Sequence, residues 1–180
     1  MSTPAASDES LLAAFVRGDR SALGELAARH ERALLGLACG LLGGREDLAC
    51  DAVQETWVRV IRFAGSFRGD SSFKTWVYRI TVNQCRSIKT MRESVLDNET
   101  MDRQSGRPMP EDGAELNGTL RAAVQRLSPE KQEILLLCYH GGMTHEAAAE
   151  VLGIPKGTLK SRLHASLTEL RERLAGEAAS

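Results

Sequence analysis

The sequence predicts an all-α protein of two small helical domains joined by a flexible linker. Apolar residues recur at the three- and four-residue spacing of amphipathic helices almost throughout the 180 residues, and the alternating pattern of strands is nearly absent. The stretch 93–113 breaks this pattern, because it is acidic, carries glycine and proline, and has few bulky apolar side chains. We therefore predict an N-terminal domain over 1–92, a flexible acidic linker over 93–113 and a C-terminal domain over 114–180.

Each domain is predicted to contain four helices. The predicted spans are 8–17, 20–42, 45–63 and 71–91, then 114–126, 129–140, 144–152 and 156–174. Short polar residues that can cap these helices are Asp8, Asp19, Ser71 or Ser72, and Thr144. Ser128 followed by Pro129 is typical of a helix start, because proline is favoured at the first helical position.

Composition excludes several classes of protein. A net charge of −1 argues against a protein that is basic all over, although a local basic stripe can still bind nucleic acid. No apolar run has transmembrane length, and the polar N-terminus lacks the order of a signal peptide, so we expect a cytoplasmic protein without membrane insertion. The four cysteines lack metal-site spacing, so we expect reduced, buried thiols and no metal or other cofactor: Cys39, Cys50, Cys85 and Cys138.

The C-terminal domain contains a predicted helix-turn-helix. A short helix over 145–152 ends at Gly153, and a second helix begins near Lys156. The second helix is expected to bury five leucines, which are Leu159, Leu163, Leu167, Leu170 and Leu174. Its opposite side and flanks carry Lys156, Thr158, Lys160, Ser161, Arg162 and His164. Lysines and hydroxyls at a helix N-terminus suit phosphate contact and entry into a major groove, although a solvated polar face is the alternative interpretation.

The N-terminal domain concentrates the aromatic residues. Six of the eight lie between Trp57 and Tyr78. A predicted loop over 67–72 is followed by a helix on which Trp76, Arg79, Asn83 and Arg86 form one stripe beside the apolar stripe of Phe73, Val77, Ile80 and Ile88. A ring can stack on an unpaired base, cations can hold the backbone, and an amide can read a base edge. The alternative is a core tryptophan next to an ordinary polar face.

The preceding helix has a second face of interest. We expect Val53, Trp57, Val60 and Ile61 to point inward, and Asp51, Gln54, Glu55, Val58 and Arg62 to point outward. A mixed acidic, polar and apolar face suits a protein partner better than DNA, although it could be plain surface.

Three stretches in this order carry a resemblance to a known family. They are DAVQETW at 51–57, FRGDSSFKTWVYRITVN at 67–83, and LSP at 127–129 followed by LGIPKGTLKSRL at 152–163. Together they resemble the extracytoplasmic-function (ECF) group of sigma-70 family RNA polymerase sigma factors, over about residues 10–174. The resemblance implies that 1–92 is sigma region 2 and that 114–180 is sigma region 4.

The resemblance also implies roles for particular residues. Those implied to dock on core RNA polymerase are Asp51, Gln54, Glu55 and Trp57. Those implied to open and read the −10 element are Phe67, Arg68, Asp70, Lys74, Trp76, Arg79, Asn83 and Arg86. Those implied to read the −35 duplex are Lys156, Thr158, Lys160, Ser161, Arg162 and His164. The expected partners are bacterial core RNA polymerase, promoter DNA and, as a hypothesis, an anti-sigma factor; no small-molecule substrate is expected.

Two other functions compete with this interpretation. A stand-alone helix-turn-helix regulator would explain the C-terminal domain but not the 51–57 face or the aromatic loop. An enzyme is disfavoured, because the histidines lack metal-ligand spacing and HEAAAE at 145–150 lacks the second histidine of a zinc protease. Binding of DNA that depends on core polymerase separates the first alternative from a sigma factor.

Overall fold

The computed structural model describes residues 6–96 and 118–178, and every regular element in these ranges is helical. The N-terminal module consists of α1 (Asp8–Val16), α2 (Arg20–Leu41), α3 (Glu46–Phe63), a 3-10 turn (Ala64–Ser66) and α4 (Phe73–Leu96). The C-terminal module consists of α5 (Gly118–Gln125), α6 (Pro129–Leu135), a π-helical turn (Leu136–His140), α7 (His145–Leu152) and α8 (Lys156–Ala178). The all-α prediction is confirmed for the described residues.

The helix boundaries differ from the predicted ones near the linker. Helix α4 continues through residues 93–96, the start of the predicted linker, because no glycine or proline interrupts it there. The rest of the predicted linker, 97–113, lies outside the described residues, as do residues 114–117 of the predicted fifth helix. Helix α8 ends at Ala178, beyond its predicted end at residue 174.

The predicted caps were mostly correct. Asp19, Ser72 and Thr144 each accept a hydrogen bond from a backbone N–H two or three residues further on, at 3.0, 3.1 and 3.2 Å. Ser128 lies at the N-cap of α6 and Pro129 is its first residue, although the Ser128 hydroxyl makes no capping bond.

The predicted cap of α1 was wrong by one residue. Ser7 is the N-cap, since its hydroxyl accepts from the N–H of Ser10 at 3.2 Å. Asp8 is the first helical residue, and its carboxylate faces α2. There Arg29 donates to Oδ1 at 2.8 Å, and His30 Nε2 lies 2.5 Å from Oδ2. Asp8 therefore fastens α1 to α2.

The core of the N-terminal module lies between α2, α3 and α4, with α1 packed across one side. Its fully buried residues include Leu12, Leu26, Leu34, Leu37, Val60, Phe73 and Val77. Within it, the buried hydroxyls of Thr56 and Thr81 lie 3.3 Å apart, and Thr56 also donates to the carbonyl of Ala52 at 2.7 Å. These bonds satisfy the two hydroxyls where α3 crosses α4.

The C-terminal module contains the predicted helix-turn-helix. Gly153 ends α7 in the left-handed conformation, with φ at +67°, and the N–H of Ile154 donates to the carbonyl of Ala149 at 3.0 Å. Helix α8 begins three residues after Gly153. Leu159 and Leu163 are buried as predicted, whereas Leu167, Leu170 and Leu174 are only half-buried.

The two modules pack against each other. Helix α4 lies against α7, and α2 lies against the π-helical turn, so that the buried apolar residues of both modules form one continuous cluster. Across the described residues, no helix is both long and apolar enough to cross a membrane.

The cysteines differ from the prediction at one position. Cys39 and Cys85 are buried and Cys138 is half-buried, but Cys50 is exposed on α3. Burial raises the pKa of the Cys85 thiol to about 12, so that this thiol stays protonated at neutral pH. Within residues 6–96 and 118–178, no group of three His, Cys, Asp or Glu side chains could hold a metal ion.

Candidate nucleic-acid interface

An aromatic cluster lies where the 67–72 loop meets α4. The ring centroids of Phe67 and Trp76 are 5.1 Å apart and tilted by 48°, and those of Phe73 and Trp76 are 6.0 Å apart, edge to face. Phe73 is fully buried, whereas Phe67 and Trp76 are half-buried. The cluster therefore anchors Trp76 from inside and leaves part of two rings at the surface, where a base could stack.

The start of α4 is fixed by two different caps. Ser72 caps it locally, and the Glu9 carboxylate of α1 accepts a hydrogen bond from the N–H of Phe73 at 3.0 Å. A carboxylate at a helix N-terminus is also favoured by the helix dipole. Helix α1 thus holds the loop and the first turn of α4 in place, a contact between residues 64 positions apart that no local pattern indicates.

The loop itself presents polar side chains to solvent. Arg68 and Asp70 are exposed on either side of Gly69, whose φ of +74° requires a residue without a Cβ for an unstrained turn. On the first turn of α4, the Lys74 ammonium lies 5.5 Å from the centre of the Tyr78 ring, within cation–π range.

The stripe predicted on α4 is only partly open. Asn83 is exposed, but Arg79 and Arg86 are engaged with the C-terminal module. The Arg86 guanidinium binds both carboxylate oxygens of Glu133, at 2.8 and 2.6 Å, and this pairing raises the pKa of Arg86. Arg79 donates to the carbonyl of Glu150 at 2.9 Å and to its carboxylate at 3.2 Å.

Sequence reasoning missed these acidic partners. Glu133 is more deeply buried than Glu150, since its side chain is only 8% exposed. The half-buried Lys89 faces the same carboxylate, and burial lowers the pKa of that lysine although Glu133 opposes the shift. The partners lie 47 and 71 residues along the chain from their arginines, and a single glutamate on a surface helix carries no sequence signal of such a pairing.

The outer face of α3 is mixed polar and apolar, as predicted. Asp51, Gln54 and Glu55 are exposed, and Glu55 accepts a hydrogen bond from Arg59 one turn further on, at 3.1 Å. Val58 is also exposed. This face exposes carboxylates, an amide and an apolar side chain, a mixture that a protein partner could contact.

Two α3 residues depart from the inward positions expected for them. Ile61 is 50% exposed, so its inward assignment was wrong, because the adjacent Val60 already occupies the buried stripe. Trp57 is half-buried, and its indole N–H is enclosed without an acceptor among the described residues. Trp57 therefore offers a ring edge at the surface, with its nitrogen turned inward.

The polar face of α8 is largely exposed. Its accessible side chains are Lys156, Lys160, Ser161, Arg162 and His164, with Thr158 half-buried. Two of the cations have acidic partners inside the C-terminal module, since Lys156 pairs with Glu146 of α7 and Arg162 lies 3.0 Å from Glu130 of α6. A short, exposed helix face of cations and hydroxyls can contact phosphates and base edges of a duplex.

Each of the two modules matches a known protein family. The family described as Sigma-70 region 2 matches residues 26–92, and the family described as Sigma-70, region 4 matches residues 118–170. The first match covers α3 and most of α2 and α4, and the second covers the whole helix-turn-helix up to residue 170.

Individual relatives agree with these matches. The chain is 34% identical over 158 residues to the ECF RNA polymerase sigma factor SigM of Mycobacterium tuberculosis, which covers 87% of this chain and 79% of SigM. It is 32% identical over 177 residues to the RNA polymerase sigma factor NccH of Alcaligenes xylosoxydans xylosoxydans, which covers 91% and 94% of the two chains.

A solved structure shows a similar arrangement of helices. The sigma factor RpoE, in its complex with the anti-sigma factor NepR from Bartonella quintana, superposes with a TM-score of 0.73 and 26% identity, over 84% of this chain and 96% of that one. With both sigma-70 regions present in order and relatives above 30% identity along nearly its whole length, the chain belongs to the ECF group of the sigma-70 family of RNA polymerase sigma factors.

Proposed function

We propose that this chain binds core RNA polymerase through α3, opens and reads the −10 element with the 67–72 loop and α4, and reads the −35 duplex with α8. The observation that supports the proposal is that one chain carries two chemically different surfaces, each suited to a different form of nucleic acid. One has an aromatic edge beside arginine and asparagine, which suits unpaired bases, and the other is a basic, hydroxyl-bearing helix-turn-helix face, which suits a duplex.

At the −10 element, Trp76 and Phe67 supply the stacking surface. Unstacking a base costs a few kcal/mol, and stacking it on an aromatic side chain returns about 1–3 kcal/mol, so a pocket for an extruded base can drive local melting. Asn83 is placed to read a base edge. The remaining cations of this surface are assigned to the phosphate backbone: Arg68, Lys74, Arg79 and Arg86. We assign the Asp70 carboxylate, in the 67–72 loop, to accept a hydrogen bond from a donor group of a base.

At the −35 element, α8 lies in the major groove. Lys156, Lys160 and Arg162 contact phosphates or guanine edges, while Thr158, Ser161 and His164 supply shorter hydrogen-bonding groups. The −35 site is read as an intact duplex, because the described part of α8 has no Phe, Tyr or Trp on which to stack an extruded base. The predicted linker over 93–113 ties the two readers together, so that two weak contacts act through effective concentration.

The polymerase contact is assigned to the outer face of α3. Asp51, Gln54 and Glu55 supply its polar part, and the exposed Val58 and Ile61 extend the same surface with apolar area. Trp57 contributes its ring edge at the boundary between this face and the core. Chemistry on nucleotides belongs to the polymerase, and we assign this chain no catalytic activity of its own.

We also propose that an anti-sigma factor binds this chain and inhibits it. The similar RpoE structure from Bartonella quintana is a complex with the anti-sigma factor NepR, and this supports a protein inhibitor for the present chain as well. A factor that acts with RNA polymerase and is held by such an inhibitor works in the cytoplasm.

The test is transcription by purified bacterial core RNA polymerase on a pool of randomised promoters. The wild type should start transcripts at defined −10 and −35 sequences. Trp76→Ala should still bring polymerase to the duplex but lower open-complex formation by about 5- to 150-fold, the equivalent of about 1–3 kcal/mol of stacking. Arg162→Ala should weaken −35 recruitment and leave melting of a preformed bubble unchanged.

Matched variants separate these roles from general damage. Trp76→Phe keeps a stacking ring, and Arg171→Ala removes an exposed arginine further along α8. Both should behave nearly as the wild type. If core polymerase is not retained and no defined start site emerges, the sigma assignment is wrong, and a helix-turn-helix regulator that binds duplex DNA without polymerase becomes the better description.

A further inference from the structure

Helix α1 contacts the surface that we assign to the −10 element, although it lies outside the matched family region. Sigma-70 region 2 matches residues 26–92, and α1 (Asp8–Val16) precedes them. The helix buries Leu12 in the core of the module and packs against both the 3-10 turn and α4. It therefore reaches the two backbone segments that lead into the 67–72 loop and out of it.

One peptide group connects α1 with Trp76. The carboxylate of Glu9 accepts a hydrogen bond from the N–H of Phe73 at 3.0 Å. On the other side of the same peptide group, the carbonyl of Ser72 accepts a hydrogen bond from the N–H of Trp76, also at 3.0 Å. Because a peptide group is planar and stiff, a rotation that breaks one of these bonds also disturbs the other. Glu9 thus fixes the plane to which the backbone of Trp76 is bonded.

The rings of the aromatic cluster depend on the same junction. The Phe73 ring is fully buried, and its centroid lies 5.4 Å from that of His30 on α2 and 6.0 Å from that of Trp76. Phe67 packs against Trp76, and the N–H of Phe67 donates to the carbonyl of Ala64 in the 3-10 turn at 3.2 Å. Both half-buried rings are therefore attached to backbone that α1 contacts.

The backbone that presents Glu9 is itself anchored. The neighbouring carboxylate of Asp8 is hydrogen-bonded to Arg29 and His30 of α2, which holds the first turn of α1 in place. The bond from Glu9 to Phe73 therefore orders little more than one side chain, and less conformational entropy opposes it than would oppose a bond from a loose segment.

We propose that Glu9 is a positioning residue for −10 recognition, which acts through the Ser72–Phe73 peptide group to hold Trp76 and Phe67 in the orientation that receives an unpaired base. This role depends on the proposed stacking of a base on these two rings. Without the Glu9 carboxylate, the first turn of α4 loses a hydrogen bond and other orientations of Trp76 become populated. The contribution of base stacking to affinity then falls, because apparent affinity scales with the fraction of molecules in the competent state.

The test measures how much one unpaired base contributes to binding. Polymerase holoenzyme is titrated with a labelled single strand that carries the −10 sequence selected in the transcription test, and with the same strand carrying an abasic site at each position in turn. The ratio of the two affinities is the abasic penalty. For the wild type the largest penalty should be about 5- to 150-fold, the loss expected when one base no longer stacks, and Trp76→Ala should bring it to about 1.

Three substitutions of Glu9 separate the hydrogen bond from the charge. Glu9→Ala removes the acceptor, and Glu9→Asp keeps the charge but shortens the side chain by one CH2 group. Both should reduce the abasic penalty to about half or less, as coupled positions do in a double-mutant cycle. Glu9→Gln keeps the reach and an acceptor oxygen, and it should retain the wild-type penalty.

Asp19→Ala is the matched control for stability. It also removes a carboxylate that caps a helix of this module, since Asp19 accepts from the N–H of Ser21 at 3.0 Å. A loss of folded protein lowers the affinity for both strands by the same factor, so Asp19→Ala should leave the abasic penalty unchanged.

A wild-type penalty in Glu9→Ala and Glu9→Asp, in a holoenzyme whose penalty depends on Trp76, would overturn the role of Glu9 and leave the −10 assignment intact. The role is equally overturned if Glu9→Asp retains the penalty and Glu9→Gln loses it, since charge rather than the hydrogen bond would then matter. If Glu9→Ala does not fold, Glu9→Asp and Glu9→Gln decide alone. No abasic penalty in the wild type, or one that Trp76→Ala leaves unchanged, would instead count against the proposed stacking function.

Discussion

The attachment of α1 to α2 gives a prediction that can be worked out from the structure. Asp8 accepts one hydrogen bond from Arg29 at 2.8 Å, and its other oxygen lies 2.5 Å from Nε2 of the nearly buried His30. Arg29 also donates to the carbonyl of Ala6 at 2.7 Å. A hydrogen bond to a charged group contributes about 1.5–3 kcal/mol, and partial exposure of these side chains places the cost of Asp8→Ala near the lower end, at about 2 kcal/mol.

This cost is measurable by urea unfolding followed by tryptophan fluorescence, since Trp57 and Trp76 both lie in the N-terminal module. For a urea m-value of about 2 kcal/mol/M, Asp8→Ala should lower the unfolding midpoint by about 1 M at pH 7. Glu31→Gln, which alters an exposed carboxylate on α2, should leave the midpoint unchanged.

The same contact predicts a pH dependence. Burial would raise the pKa of Asp8, but the hydrogen bonds from Arg29 and His30 outweigh burial and hold it below the ordinary 3.8. The stabilisation is therefore fully present above pH 3.8 and is lost as the pH falls through the lower pKa of the folded state. The difference in midpoint between wild type and Asp8→Asn should shrink between pH 5 and about pH 2. A difference that stays constant over this range, or is zero at pH 7, would refute this account.

Three further predictions concern the core, the helix-turn-helix and thiol reactivity. Phe73→Ala should cost about 3–5 kcal/mol in urea unfolding and Phe73→Leu less than about 1.5, because Phe73 is fully buried beneath the aromatic cluster; equal costs would contradict that burial. Thr144→Ala should lower the stability of the C-terminal module by about 1 kcal/mol in thermal melting, whereas Thr144→Ser keeps the capping hydroxyl and should not. Iodoacetamide at pH 8 should label the exposed Cys50 well before Cys85, whose pKa is about 12; peptide mass spectrometry showing equal rates would contradict the burial of Cys85.

Signals that act over one helical turn could be predicted from the sequence. Asp19 and Thr144 were identified as caps because a short polar side chain before an apolar helix has one dominant local use. Where two such residues adjoin, as Ser7 and Asp8 do, the pattern does not decide between them. The choice was made by tertiary structure, since the Asp8 carboxylate is used by Arg29 and His30.

On α3 and α8, too, the local sequence pattern did not decide which residues are buried. Periodicity gives the direction of a buried stripe but not its width, so Ile61, beside the buried Val60, was assigned inward and lies 50% exposed. In the same way, Leu167 and Leu170 are predicted to belong to the buried stripe of α8 but are only half-buried.

The contact between the modules left one detectable trace in the sequence. Glycine in a helix interior is unfavourable by about 1 kcal/mol relative to alanine, and Gly36 and Gly40 stand one turn apart within α2. Such spacing indicates close approach of another segment, although it does not name the segment. Glu133 and Glu150 left no trace, because a glutamate that pairs with a distant arginine has the same local pattern as a solvated one.

The pairing of charges also explains how a chain with a net charge of −1 can bind DNA. Three of the cations that we assign to DNA pair with carboxylates of the C-terminal module: Arg86 with Glu133, Arg79 with Glu150 and Arg162 with Glu130. Separation of the modules would expose positive charge on α4 and move two of these carboxylates away with α6 and α7.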